Sequence, residues 1–85
     1  MNLLEVNGLI ERARELIVAA MPEVVAVYVF GSAATGHYSA GSDLDLAVLC
    51  RRPLAPRETY DLARTIEAEL GQDVDVVDLM TASTV

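Results

Sequence analysis

The 85-residue chain contains a single cysteine, Cys50, so no internal disulfide can staple it. Its place at the end of an apolar run suits a buried structural thiol better than a reactive one. Basic residues are scarce. Six Lys and Arg stand against thirteen Asp and Glu, the net charge is -7, and no basic cluster exceeds Arg51-Arg52. A protein that follows a long nucleic acid displaces counterions with a stripe of such residues, so long nucleic acid is excluded as the expected ligand. A single nucleotide that arrives with its own magnesium is not. No apolar run reaches the roughly 18 residues of a membrane span, and no signal peptide is evident, which makes a cytoplasmic protein without a membrane partner the expectation. Internal repeats and low-complexity segments are missing too. The lone histidine, His37, has no Cys or His partners and is weak as a metal ligand.

What is present is a globular composition, 53% hydrophobic and well spread, in a length that allows one small domain. A domain of this size hides only about 60% of the surface that its unfolded chain exposes, so part of its stability is expected to come from a partner, an oligomer or further chain. From Leu3 to Ala20 apolar residues recur at helical spacing, with Glu5, Glu11, Arg12, Arg14 and Glu15 opposite. Pro22 stops this helix, and Asn7 before Gly8 is an alternative start as an N-cap. Val24 to Phe30 is apolar and β-branched, which predicts a central strand covered on both faces. Residues 31–42 are small or turn-forming. A second strand runs from Leu44 to Cys50. A helix starts at Pro56 and stops at Gly71, with Leu62, Ala63, Ile66 and Leu70 as its stripe, and a third strand covers Asp73 to Leu79. The fold class is therefore α/β (α+β), a small mixed sheet of about three strands in the order α-β-β-α-β.

The chemistry concentrates between Tyr28 and Cys50. There a strand ends in Gly31-Ser32, ten residues follow, and the next strand opens with Asp43-Leu44-Asp45. Alternation along a strand sends both carboxylates to one side, where they repel unless an oxygen-preferring divalent cation sits between them. The helix between the second and third strands implies a parallel crossover, while the short connection between the first two implies antiparallel pairing. Gly31-Ser32, Asp43, Asp45 and the start of the third strand then converge. A third carboxylate comes from Asp75, or from Asp73 if the register slips by two, whereas Asp78 points to the opposite face. Backbone N–H groups of a glycine turn with a short hydroxyl suit a triphosphate whose charge is already neutralised. Thr35, Ser39 and Ser42 add hydrogen bonds to phosphate or sugar, or else satisfy the loop's own backbone. Tyr38 is either a base-stacking or a merely exposed loop aromatic. Arg51, Arg52 and Arg57 lie beyond the second strand, solvated or facing a partner.

Gly-Ser, ten residues and Asp-x-Asp, followed by Val74-Asp75-Val76-Val77, resemble the nucleotidyltransferase superfamily that includes DNA polymerase beta, most closely its minimal members. The resemblance runs from the first helix to the third strand and implies a nucleotidyltransferase fold, with residues 1–85 as one minimal domain. Such relatives commonly continue with a further helix and strand, so either the chain is truncated or a partner covers the exposed face. The resemblance implies transfer of AMP from ATP, with two Mg2+ ions held by Asp43, Asp45 and Asp75 and the nucleotide by Gly31, Ser32 and Ser42. The two ions would be bridged by Asp43 and Asp45, with Asp75 helping to take the acceptor's proton. Minimal members are often antitoxins that add AMP to a tyrosine of an all-helical HEPN toxin. Two other functions stand beside this one: a binding module that neutralises a helical partner without turnover, and a small-molecule nucleotidyltransferase, which would need a substrate domain that 85 residues cannot hold. Members commonly carry an arginine just after Gly-Ser, where this chain has Ala33 and Ala34.

Overall fold

The computed structural model describes residues 3–35 and 41–82. His37, Tyr38 and Ser39 lie outside the described residues. The elements are α1 (Leu3–Ala20), β1 (Val24–Phe30), α2 (Ser32–Thr35), β2 (Leu44–Cys50), α3 (Pro56–Leu70), β3 (Val74–Asp78) and α4 (Leu79–Ala82). The three strands form one sheet in the order β1-β2-β3. β1 pairs antiparallel with β2, and β2 pairs parallel with β3, as the lengths of the connections require.

That order corrects one expectation. β1 is an edge strand with Tyr28 52% and Phe30 41% exposed, not a central strand covered on both faces. An apolar run reports how much a strand tends to bury but not how many neighbours it has. Here both connections lead to β2, one on each side, so β2 takes the centre and carries the fully buried Leu44, Leu46 and Val48. Those residues, with Cys50, Val74 and Val76, form one face of the sheet. Ala13 and Ile17 of α1 and Leu62 and Ile66 of α3 close over it. Removing each such side chain from water contributes roughly 1.5–3 kcal/mol, which is what holds the helices onto the sheet. Among the described residues no helix is long and apolar enough to cross a membrane.

Helix ends follow local chemistry. α3 has proline in its first turn, a reciprocal pair of bonds between Ala55 and Glu58, and a left-handed Gly71 (φ 71°) whose N–H donates to the Glu67 carbonyl at 2.8 Å. α1 begins at Leu3 and runs straight through Asn7 and Gly8, so Asn7 is not its N-cap. Val6, buried against the core, fixes that first stretch; packing overrides a glycine penalty of about 1 kcal/mol. Two short helical turns differ from the loop and strand end that the sequence suggests: α2 occupies Ser32–Thr35, and α4 takes over at Leu79, one residue past the end of β3. Arg52 is not simply solvated. Its guanidinium joins Glu58 at 2.6 Å and Glu23 at 3.1 Å, tying α3 to the approach to β1.

Candidate functional site

β1 ends where Phe30 faces Asp45 across the antiparallel pair, and Asp45 faces Asp75 across the parallel one. Residues in register share a side of the sheet, so Phe30, Asp45 and Asp75 form a row across the face that no helix of the core covers. Gly31 follows at once with φ 70°, a left-handed angle that lets the chain turn into α2, where Ala34 N–H donates to the Gly31 carbonyl at 3.1 Å. The same glycine makes room for a carboxylate. A Cβ on Gly31 would collide with Asp45 Oδ2 and stand 3.3 Å from Asp45 Cγ. Asp45 is thus seated in the hollow that the missing side chain leaves.

Asp43 lies just before β2, whose start is pinned by Leu44 N–H donating to the Asp73 carbonyl at 3.0 Å. Its charge reaches Asp45. The Asp45 carboxyl is pushed above its ordinary range first by burial, then by the negative charges of Asp75 and of Asp43. Asp43, Asp45 and Asp75 are therefore electrostatic neighbours. Ser32 and Ser42, both half-buried, flank them at the start of α2 and just before Asp43. No three His, Cys, Asp or Glu among the described residues are gathered into a ready cage for a metal ion. The repulsion felt at Asp45 nevertheless fits a cation, which the carboxylates would meet by side-chain rotation.

Asp73 and Asp78 stand apart from this row. Asp73 precedes β3 and is exposed. Asp78 is buried on the helix-covered face, where its carboxylate accepts from Leu54 N–H at 2.9 Å, Met80 N–H at 3.3 Å and the Thr81 hydroxyl at 3.2 Å. It fastens the entry to α3 and the start of α4. Cys50 is buried too, 4.0 Å from the Met21 sulfur, and burial is the largest of the effects that push its thiol up. Sequence reasoning overlooked Tyr28 and Phe30, whose spacing of two was the available signal that both face one way.

The chain matches the family model described as Polymerase beta, Nucleotidyltransferase, over residues 14–85. It is 38% identical over 85 residues to the protein adenylyltransferase MntA of Shewanella oneidensis, covering all of this chain and 58% of that relative. It superposes with TM-score 0.82 on a toxin-antitoxin crystallised with AMP-PNP, at 35% identity, over 87% of this chain and 60% of the other. A further superposition, with TM-score 0.75 and 30% identity over 93% of this chain and 60% of the other, is on a complex of MNT antitoxin with tri-AMPylated Shewanella oneidensis HEPN toxin. The chain thus spans about three-fifths of the length of these proteins. With the Gly-Ser turn and the acidic row set on one sheet edge and 72 residues or so of continuous match, this chain belongs to the polymerase beta nucleotidyltransferase family.

Proposed function

We propose that the chain transfers AMP from ATP to a tyrosine hydroxyl of a helical HEPN toxin and acts as the antitoxin of that pair. The carrying observation is that Asp75 stands in register with Asp45 on the face that also holds Phe30 and the Gly31 hollow. The similarity to MntA and to the AMPylated toxin complex supports the choice of nucleotide and acceptor.

In this reading Gly31, Ser32 and Ser42 hold the triphosphate, whose charge a short hydroxyl and backbone N–H groups suffice to orient. Asp43, Asp45 and Asp75 would hold two Mg2+ ions, which when bound neutralise the phosphates and favour loss of the acceptor's proton. The tyrosine oxygen attacks the α-phosphorus, the bond to the pyrophosphate oxygen breaks, and the phenolic proton passes to Asp75. AMP-tyrosine and pyrophosphate leave. ATP and magnesium as co-reactants make the cytoplasm the fitting compartment.

The test mixes the purified chain with MgCl2, ATP labelled at the α-phosphate and the product of the neighbouring reading frame. Label on a tyrosine, with equal pyrophosphate, is the expected result, and EDTA or Asp43→Asn with Asp45→Asn removes it. Label retained in the double variant would sink the site assignment. Neutralisation of the toxin without pyrophosphate would replace transfer by simple binding.

A further inference from the structure

α1 and α3 close one side of the sheet, so a substrate that meets Asp45 and Asp75 arrives across the other side. Beyond the acidic row the described strand residues on that side are apolar. Tyr28 pairs with Ala47, Ala47 pairs with Val77, and Leu49 pairs with Ala26, with no charged side chain among them. Tyr28 at 52% and Phe30 at 41% exposure lie along this strip, and Phe30 is the register partner of Asp45 itself. Two large rings left facing water beside the acids are costly unless something covers them, and aromatic side chains are the usual anchors of protein interfaces.

Resting on the proposed transfer reaction, we infer that Tyr28 and Phe30 are the docking surface for the protein that carries the acceptor hydroxyl. The occupant is an apolar patch rimmed by Lys or Arg. Three observations choose it. A nucleoside base can stack on such rings but is told apart by hydrogen bonds at its edge, and among the described residues the strip offers only a phenol for that purpose. Addition of a strand to the β1 edge is disfavoured at its start, because the ladder slips between Val24 and Ala26 and leaves Val25 58% exposed, which shortens the regular edge to Ala26–Phe30. Contact is therefore made through side chains on the face. A second copy of this chain would bring a charge of -7 and its own acidic row against the first, whereas a basic rim is attracted to both. Phe30 stands two strands from Asp75 with Asp45 between them, so a protein held on the strip borders the acidic row.

The experiment measures the Kd of the chain for the product of the neighbouring reading frame in EDTA, without nucleotide, so that docking is read apart from turnover. Tyr28→Ala and Phe30→Ala should each weaken it by about tenfold or more. Phe30→Leu, which keeps apolar bulk, should restore most of the affinity. The Kd for AMP-PNP with magnesium should not move in Tyr28→Ala, which shows that the variant is folded at the assay temperature. Docking within twofold of wild type in both alanine variants overturns the inference, as does absence of any complex with the wild type. Weakened AMP-PNP binding in Tyr28→Ala would give the rings to the nucleoside, and a wild-type dimer lost in that variant would give them to a second copy; either result overturns it. If docking depends on Tyr28 while the wild type transfers no AMP, the transfer reading fails and the docking surface stands.

Discussion

Replacing Gly31 by alanine perturbs the turn and the acid row at once, and a second glycine separates the two effects. Gly31 (φ 70°) and Gly71 (φ 71°) have the same left-handed backbone. For a residue with a Cβ that conformation costs about 1–2 kcal/mol, of which about 0.4–1 kcal/mol is offset by a stiffer unfolded chain. Each substitution should thus lose roughly 1 kcal/mol from the backbone alone, or about 4–8 °C in melting temperature for a domain of this size. Around Gly71 there is open space, and its effect ends there. At Gly31 the new methyl collides with Asp45 Oδ2, with Cγ at 3.3 Å and Cβ at 3.5 Å behind it, so the carboxylate must swing away. A displacement of about 1 Å at a reacting centre costs on the order of a hundredfold in rate. AMP transfer and thermal melting measured on both variants should show Gly71→Ala less stable but active, and Gly31→Ala less stable and about a hundredfold slower. Equal rates in the two variants would refute the idea that Gly31 exists to seat Asp45.

Asp75→Asn should abolish transfer without lowering the melting temperature, since it removes a charge that repels Asp45. Asp78→Ala should do the reverse: it strands the buried Leu54 N–H, which costs about 1–3 kcal/mol, and leaves turnover per folded molecule unchanged. For Asp45→Asn the sign follows from a folded-state pKa raised by burial and by Asp75 and Asp43. The wild type loses stability as pH rises through that raised value, so the inactive variant should melt higher at neutral pH in EDTA and the gap should close in acid. A variant that melts lower at neutral pH would contradict the repulsion. Glu58 behaves oppositely, lowered from 4.5 to about 2 first by its hydrogen bond to Arg52 and then by that from Ala55 N–H. Its contribution is present above the ordinary value and lost as pH falls toward 2, so the Arg52→Ala and wild-type melting curves should differ at neutral pH and converge in strong acid.

The placement of the acidic row beside the Gly31 turn was legible because it rests on fixed spacing. Gly31-Ser32, Asp43 and Asp45 are adjacent to strand ends, and strand ends are set by turn chemistry that the chain displays openly. Asp75 was placed by topology: a helical crossover makes β3 parallel to β2, and parallel register then puts Asp75, not Asp78, beside Asp45. What could not be read was the sheet's edge. Val24 to Phe30 is uniformly apolar, and nothing in it tells a covered face from a bare one until its neighbours are counted. The turn of α2 was hidden as well, since Ser32 to Thr35 are small residues with weak preferences and their helical turn is fixed by the angle at Gly31. Asn7 failed as a start signal for a related reason. Its capping chemistry is local, while Val6 is held by a core that local sequence does not show.

In the proposed function the two sides of this sheet divide stability from chemistry, and β3 shows how little sequence that division needs. Asp75 and Asp78 are three residues apart, so strand alternation must send them to opposite faces. One side chain is exposed and raises the energy of Asp45; the other is buried, accepts from Leu54, Met80 and Thr81, and lowers the energy of the fold. The same carboxylate chemistry thus has opposite thermodynamic signs on the two faces. A repelling row survives only because the helix face supplies a surplus, through Ile17, Leu44, Leu46, Val48 and Ile66, that does not depend on the row. Substitutions on the open face can then be silent for folding and decisive for turnover. That separation lets this fold hold an electrostatically unfavourable row, and under the proposed function relief of the repulsion would become available as binding energy when cation and nucleotide arrive.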